Sequence, residues 1–356
     1  MNISEIINHT LKDIGAKDRR SIFMAQGIQD PTAVFGTLTG LGDVVPEQRL
    51  IEMPVAESAA VGVAVGAAME GMRPILSFHR VEFLLLALEQ IFNNAAKANF
   101  ISGGVYSAPL LIRAVIGRGW GQGPSHSQGF ETLFSSVPGL KVICPSVPET
   151  IQDMIWSSYL DDAPVICLEH RWVHYSLGEL NKLQNKNPTI KPIRLSQGNA
   201  LTIVSYGYMT LESMLVVKEF QRIGVNIELI DLQCIRPLNI EKVVDSVKKT
   251  GCLLVIDQGY KFLGIGAEVV SQVTEYCFSS LKCAPLRIGL PSLPSPSAVS
   301  LAKDYYCTSI DISDAVLRII GEEIPKHEAE DVISGIKNIR NRTPFDVPNK
   351  YFNGPF

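Results

Sequence analysis

The chain of 356 residues has no long hydrophobic run, no C-x-x-C pair and no excess of positive charge. Its longest stretch of small apolar residues, AAVGVAVGAAM, falls well short of the ~20 residues that cross a bilayer. The N-terminus, MNISEIINHT, has no basic segment followed by an apolar one, as a secretory signal would have. We therefore expect a cytoplasmic protein that does not act at a membrane.

Charge and cysteine content exclude further classes of protein. With 32 Lys and Arg against 36 Asp and Glu, the formal net charge is −4, so no basic field attracts nucleic acid. The 7 cysteines lack metal-ligand spacing, which indicates reduced, mostly buried thiols. A hydrophobic content of 46% is typical of a well-packed globular protein, and the length predicts two to three domains.

Short apolar runs alternate with stretches of helical periodicity along the chain. RPILSF, PLLIRAVIG and APVICLEH are bounded by Gly, Pro or charge, as strands buried on both faces of a parallel sheet are. A polar, Asn- and Lys-rich segment follows around residues 180–198. Beyond it, ALTIVSYG, VNIELIDL and CLLVIDQG alternate with two helical segments, which predicts a second doubly wound unit.

The predicted fold class is therefore α/β, with two doubly wound domains. The first domain is assigned to residues 1–185, the linker to 186–198 and the second domain to 199–320. The remaining residues, 321–356, have no clear period and are expected to form an arm that lies on a neighbouring chain.

The loop GYKFLGIGAEVV places Gly264 and Gly266 ahead of a helix, which raises the possibility of dinucleotide binding. The fit to that fingerprint is poor, because the third glycine position holds Val269 and the first glycine is well separated from the end of the preceding strand. A glycine-rich turn that lets a helix pack closely on its sheet is the favoured interpretation.

The segment EMPVAESAAVGVAVGAAMEGM is more informative. Pro54 keeps the preceding residue extended, so a helix should begin near Glu57. Ser58, Gly62 and Gly66 recur one turn apart and form a helix face with almost no side chains, suited either to a second backbone or to ordinary packing on a sheet. A carboxylate in the buried first turn needs a partner: a backbone amine, an arginine or a cofactor nitrogen.

These residues carry a family resemblance. Glu57, Gly62 and Gly66 are similar to the pyrimidine-side motif of thiamine diphosphate enzymes. With EQIFNNAAK, GPSHSQGFETLFSSVPGLKVICPS, LIDLQCIRPL and SVKKTGCLLVIDQG in order, the chain resembles the β-subunit of the thiamine-dependent first component of 2-oxoacid dehydrogenase complexes, a transketolase-like family. The resemblance covers about residues 4–320. It implies a pyrimidine-type thiamine diphosphate-binding domain followed by a transketolase C-terminal-type domain.

The resemblance also implies roles for single residues. Glu57 would hydrogen-bond the aminopyrimidine nitrogen of thiamine diphosphate and favour the imino tautomer that removes the thiazolium proton. Phe83 would stack on the aminopyrimidine, unless it is simply a core residue, and Val55 would line the same pocket. His126 lies in a glycine-rich loop and would assist proton and acyl transfer at the substrate-facing end; a structural histidine is the alternative.

Metals and partners follow from the same resemblance. The Mg²⁺ that holds the diphosphate needs a Gly-Asp-Gly loop, which this sequence lacks, so the ligands are expected from an α-subunit in an α2β2 heterotetramer with shared active sites. The expected substrate is a 2-oxoacid such as pyruvate, with a lipoyl carrier as acyl acceptor. A structural K⁺ would be held largely by carbonyl oxygens. The matching positions are Leu110, Ser158, Tyr159, Asp161 and Ala163.

Three departures lie close to the expected cofactor and substrate. Ala25-Gln26-Gly27 replaces the usual Gly-Glu-Asp, His79-Arg80 replaces Met-Thr, and Leu86 replaces a glutamine. They leave two alternatives open. The acyl group could pass to a small aldehyde, ketone or sugar outside a dehydrogenase complex, or the chain could be a non-catalytic assembly subunit.

Overall fold

A computed structural model describes residues 1–118, 121–180 and 190–352. These residues divide into two compact units. The first unit contains residues 1–118 and 128–190, and the second contains 119–127 and 191–354, each within the described ranges.

The first unit is built on a parallel sheet. Neighbouring strands follow the order β2-β1-β3-β4-β6-β5, and each of these pairs is parallel. The carboxyl ends of the strands therefore meet at one edge, where ligands bind in open α/β sheets. The strands are β1 (Ser21–Ala25), β2 (Leu50–Glu52), β3 (Arg73–Phe78), β4 (Leu111–Ile116), β5 (Lys141–Ile143) and β6 (Val165–His170).

Helices connect these strands. The first begins with a capping box, in which the Asn2 side chain accepts from the backbone N–H of Glu5, and it buries an apolar face that includes Ile7 and Leu11. A π-helical turn, Gln90–Ala95, packs against the second helix. The helices are α1 (Ile3–Lys17), α2 (Glu57–Met69), α3 (Val81–Leu84), α4 (Ala98–Ile101), α5 (Glu131–Ser135) and α6 (Pro148–Leu160).

The second unit contains a five-stranded sheet in the order β12-β11-β8-β9-β7, parallel except for the antiparallel pair of β7 and β9. Both predicted doubly wound sheets are thus confirmed. The five strands are β7 (Ile193–Ser196), β8 (Thr202–Ser205), β9 (Glu228–Asp231), β11 (Leu253–Tyr260) and β12 (Leu286–Leu290); the short strand β10 (Cys234–Arg236) is not part of this sheet. The helices are α7 (Tyr208–Arg222), α8 (Glu241–Thr250), α9 (Ile265–Cys277), α10 (Val299–Tyr305), α11 (Ser309–Ile320) and α12 (Lys326–Arg340).

Two expectations about the chain's organisation need adjustment. Strand β7 lies inside the predicted linker 186–198, of which residues 186–189 are outside the described ranges. The segment after residue 320 was expected to lie on a neighbouring chain, but its helix α12 packs against α7 and α11 of its own unit and buries Val332 and Ile336. The sequence obscured this helix because its charged surface hides a short apolar stripe.

The cysteines are as expected: all seven are free thiols, five buried and two half-buried. Among the described residues, no helix combines the length and the apolar character needed to span a bilayer.

Candidate functional site

The carboxyl edge of the first sheet carries the polar residues that the sequence singled out. Gln26 follows β1, Glu57 opens the helix after β2, and Arg80 follows β3. Parallel pairing places all these strand ends at one edge.

Glu57 is the first residue of α2, as predicted, and only 4% exposed. Its Oε1 accepts a hydrogen bond from Gln26 Nε2 at 3.2 Å, and its side chain lies at the N-terminal end of the helix, where the backbone carries partial positive charge. Gln26 stands where the family usually has an acid, so this position donates to Glu57 instead of repelling it. The amide thereby fixes one carboxylate oxygen.

Two apolar residues expected at the cofactor remain open at this edge. Val55 follows β2 and is 87% exposed, while Phe83 lies in α3 after β3 and is 37% exposed. Phe83 is therefore not an ordinary core residue in this unit. A buried carboxylate at a sheet edge that also carries a partly exposed aromatic ring fits a flat heteroaromatic group with a protonated ring nitrogen, as thiamine diphosphate has.

The small face of α2 is left uncovered by the described residues around Gly66. A Cβ added to Gly66 would meet nothing within 4 Å, and Val63 on the same side is 64% exposed. The opposite side of the helix is buried through Val61 and Ala64. A Cβ added to Gly62 would lie 3.3 Å from Gln90 Oε1, so the chain itself covers part of the glycine face. Whether the part around Gly66 receives a second backbone stays a prediction.

His126 lies in the loop 121–127, which clusters with the second unit. It is half-buried; its backbone N–H donates to the Gly123 carbonyl at 3.3 Å and its Nδ1 contacts the Ser125 carbonyl. Because Glu57 belongs to the first unit, a joint site of these two residues stays a prediction.

The positions expected to hold K⁺ are already engaged by an arginine. Nη1 of Arg73 donates to the carbonyls of Tyr159 at 2.8 Å and Asp161 at 3.0 Å. The Leu110 carbonyl accepts from the backbone N–H of Val165 at 2.9 Å. The guanidinium of Arg73 thus engages the carbonyls of two of the five positions, and K⁺ binding there stays a prediction.

A group of arginines lies at the same carboxyl edge. Arg80, Arg118 and Arg171 are 2–4% exposed. The guanidinium carbons of Arg171 and Arg80 lie 4.1 and 5.8 Å from the centre of the Phe35 ring, and Arg118 stacks on Trp172 at 3.8 Å. Desolvated cations are thus held against aromatic faces.

His170 ends β6 within this region and is also buried. Burial, aided by the positive charges of Arg118 and Arg80, holds its pKa well below the usual value, so the imidazole is neutral. Its Nδ1 accepts from the backbone N–H of Trp172 at 3.2 Å. Gly117 makes room for the ring, because a Cβ there would lie 2.1 Å from it.

Family models match both units. Residues 1–173 match the transketolase pyrimidine binding domain, and residues 191–312 match the transketolase C-terminal domain. The chain is 30% identical to the pyruvate dehydrogenase E1 component subunit beta of Rickettsia bellii, over 90% of this chain and 98% of the relative. It belongs to the family of E1 β-subunits of 2-oxoacid dehydrogenases. This confirms the resemblance seen in the sequence.

Other relatives of this E1 β-subunit widen the range of named activities. The acetoin:2,6-dichlorophenolindophenol oxidoreductase subunit beta of Cupriavidus necator is 33% identical over 75% of this chain and 79% of that subunit. A solved split-gene transketolase, described as an inactive beta4 tetramer, superimposes with a TM-score of 0.69 at 18% identity, covering 95% of this chain and 97% of that one. The latter likeness shows the fold alone. The family is thiamine diphosphate-dependent.

Within this E1 β-subunit, the sequence identified Arg80 as a departure but missed Arg118, His170 and Arg171. A usable signal was present, since each basic residue stands at the end of an apolar strand or within two residues after it. What the sequence could not show is that β3, β4 and β6 are neighbours.

Proposed function

We propose that this chain is the β-type subunit of a thiamine diphosphate-dependent enzyme that decarboxylates a 2-oxoacid and transfers the acyl group, with an active site shared with an α-subunit. The observation that supports it is Glu57: a buried carboxylate at the start of α2, held by Gln26. It occurs in a chain that shares 30% identity with a pyruvate dehydrogenase E1 β-subunit along nearly the whole length of that relative.

Thiamine diphosphate supplies, when bound, the electron sink for loss of the carboxyl group. Glu57 holds the proton of the aminopyrimidine nitrogen, and Gln26 fixes the orientation of its carboxylate. The partly exposed ring of Phe83 provides a stacking surface. His126 moves a proton at the substrate-facing end, from a glycine-rich loop in which its imidazole is half-buried.

An α-type partner, in an α2β2 heterotetramer, completes the site. The sequence has no Gly-Asp-Gly loop, and the described residues contain no cluster of three or more His, Cys, Asp or Glu that could hold Mg²⁺. The uncovered glycine face of α2 and several exposed apolar side chains of the same unit suit a large subunit interface. These side chains are Val63, Leu86, Phe100, Ile101 and Val105.

The test is reconstitution. Co-expressed with its α-type partner and supplied with thiamine diphosphate and Mg²⁺, the complex should release CO₂ from pyruvate or another 2-oxoacid. Glu57→Gln should lower the rate at least 100-fold without changing assembly, because the amide cannot share a proton in the same way. Glu70→Gln, at the exposed end of the same helix, is the matched control. A fully active Glu57→Gln complex contradicts the mechanism, and complete inactivity of the wild type favours a non-catalytic assembly subunit.

A small-molecule acceptor is the second candidate. The observation that favours it is that Arg80 and His79 stand after β3 where the family resemblance leads us to expect uncharged residues. Efficient acylation of a lipoyl domain by the reconstituted enzyme, with no transfer to aldehydes or ketones, would count against this candidate.

A further inference from the structure

Two cysteine thiols of the second unit lie in contact with each other. The Sγ atom of Cys283 is 3.8 Å from the Sγ atom of Cys252, although the two residues are 31 positions apart in the chain. Three other cysteines direct their thiols to oxygen acceptors instead, namely Cys167, Cys234 and Cys277. A thiol–thiol contact is thus not the general arrangement of cysteine in this chain.

The backbone holds this pair together at the amino-terminal edge of the second sheet. Cys252 directly precedes β11, Cys283 stands shortly before β12, and the two strands pair in parallel. The backbone N–H of Lys282 donates to the Gly251 carbonyl at 2.8 Å, and each cysteine directly follows one of these two residues. The two sulfurs are therefore neighbours because of the strand pairing, whatever rotamer each side chain adopts.

A disulfide between the two residues needs only a small movement. An S–S bond is about 2.0 Å long, so the sulfurs must approach each other by about 1.8 Å. Rotation about the Cα–Cβ bonds moves the sulfurs over distances of this order. Cys283 also lies outside regular helix and strand, in the segment that leads into β12, so its backbone can follow the movement.

The two thiols differ in their access to solvent. Cys252 is 6% exposed, and burial together with the adjacent Cys283 thiol raises its pKa to about 11. Cys283 is half-buried, so a small oxidant in solution reaches it first. An accessible thiol with a second thiol beside it is the arrangement in which a first oxidation product is trapped as a disulfide.

We propose that Cys283 and Cys252 are a site of reversible modification by hydrogen peroxide, which converts the two thiols into a disulfide. The Cys283 sulfur takes one peroxide oxygen as the O–O bond breaks, which gives a sulfenic acid and one water. The Cys252 sulfur then bonds to the Cys283 sulfur, the S–O bond breaks, and the hydroxide leaves with the Cys252 proton as a second water. The two thiols lose two electrons in total, and the peroxide gains them. A small dithiol reverses the change by exchange.

The disulfide would link the start of β11 to the segment before β12 and enclose α9 between them. Such a crosslink restricts the unfolded chain more than the folded one. The oxidised protein should therefore melt at a temperature higher by about 5 °C than the reduced protein. The inference goes beyond the proposed function and does not depend on it.

Counting thiols in the full chain tests the site. The purified protein is treated with hydrogen peroxide, denatured and labelled with N-ethylmaleimide. The number of free thiols should fall from seven to five, peptide mapping should find Cys252 joined to Cys283, and dithiothreitol should restore all seven. Cys283→Ser should lose no thiol under the same treatment. Cys307→Ser is the matched control, because Cys307 is also half-buried in the second unit, and this variant should still lose two.

An unchanged thiol count in the wild-type protein overturns the inference, and that measurement depends on no variant. Oxidation of Cys283 to a sulfinic acid without a crosslink also overturns it, as does a disulfide that joins two chains, seen as a dimer in non-reducing electrophoresis. Should Cys283→Ser not fold, Cys283→Ala replaces it. Equal melting temperatures of the reduced and oxidised wild type contradict the stabilising effect. Neither measurement uses CO₂ release, so failure here leaves the proposed function untouched.

Discussion

Arg113 and Glu169 form a two-point ion pair between the adjacent strands β4 and β6. Nε and Nη2 of the arginine lie 2.6 and 2.9 Å from the two carboxylate oxygens, and each side chain is 2% exposed. His174 Nε2 adds a hydrogen bond to Glu169 at 2.9 Å, and Arg113 Nη1 donates to Ser77 Oγ at 3.0 Å. The pair is fully desolvated and saturated with partners, which makes it sensitive to removal of either member.

Glu169→Gln should destabilise the chain by about 3–5 kcal/mol, because it leaves the guanidinium of Arg113 buried without a counter-charge. Urea unfolding followed by circular dichroism measures the change. Asp13→Asn, which removes the carboxylate of an exposed i,i+4 pair with Lys17, should cost less than about 1 kcal/mol. Replacing both members, Arg113→Met with Glu169→Leu, should restore much of the stability; a double variant as unstable as the single one argues against the ion-pair explanation.

Acid should weaken the same pair. Burial alone would raise the pKa of Glu169, but the Arg113 charge and the hydrogen bonds from His174 and Arg113 outweigh it and lower the pKa from 4.5 to about 2. A depressed carboxyl pKa contributes stability that is complete above pH 4.5 and is lost as the pH falls towards 2, on the order of 3 kcal/mol. Unfolding free energies measured between pH 6 and 3 should fall less steeply in Glu169→Gln than in the wild type. Parallel curves would show that Glu169 does not titrate as inferred.

Asp257 in β11 should lower the stability of the chain as the pH rises, which is the opposite of the pH dependence expected from Glu169. Burial raises its pKa from 3.8 to about 6, against the hydrogen bonds from the Gly266 N–H at 2.9 Å and the Tyr206 hydroxyl at 3.0 Å. A raised carboxyl pKa gives stability that is complete below pH 3.8 and is lost as the pH rises through 6. Asp257→Asn should therefore remove a decrease on the order of 3 kcal/mol between pH 4 and 8. The exposed Asp245→Asn is the control and should leave the pH profile unchanged.

Gly66→Leu should block assembly with the α-type partner while leaving the isolated chain folded. A Cβ at Gly66 meets nothing within 4 Å, and leucine has the higher helix propensity, so the melting temperature should be equal or slightly higher. Sedimentation velocity with the partner should show separate subunits. Ser271→Leu adds similar bulk to the exposed side of α9 in the second unit and should still assemble. Normal assembly of Gly66→Leu would remove α2 from the interface.

Arg340→Met should destabilise the second unit by about 2–4 kcal/mol. Nη1 of Arg340 lies 2.7 Å from both oxygens of Glu212, whose side chain is 6% exposed and also accepts from the Ser309 N–H at 2.8 Å. Thermal unfolding and proteolysis of the C-terminal helix report the loss. The exposed Arg318→Met, in the last turn of α11, should change stability by less than about 0.5 kcal/mol. Equal effects of the two variants would contradict the docking of α12 through this pair.

Local patterns in the sequence predicted much of the fold. The apolar runs predicted β3, β4 and the strands around Val165 and Leu253, because a strand buried on both faces leaves an uninterrupted signal. Strands β2 and β7 were not predicted, since they are short and carry exposed or half-buried residues at the edges of their sheets. Helix α12 was not predicted, because its many charged residues mask a short apolar stripe.

The site was predicted unevenly for a related reason. Glu57 and the glycines of α2 form a contiguous motif, so they could be recognised along the chain, and burial of Glu57 is confirmed. The ion pair of Arg113 and Glu169 joins residues far apart in sequence, and its existence depends on which strands are neighbours. Strand order is a property of the assembled sheet that composition and periodicity do not carry.

The contact between Gly117 and the His170 ring gives the arginine region a signature that can be read in unaligned sequences. Any side chain at position 117 would collide with the imidazole, so the two positions are constrained together. Three short motifs, each at the end of an apolar strand, then suffice to recognise the arginine region in a sequence: His-Arg at 79–80, Gly-Arg at 117–118 and His-Arg-Trp at 170–172. Genomes could be searched for chains carrying all three, which would divide E1 β-subunits into two groups before any enzyme is purified.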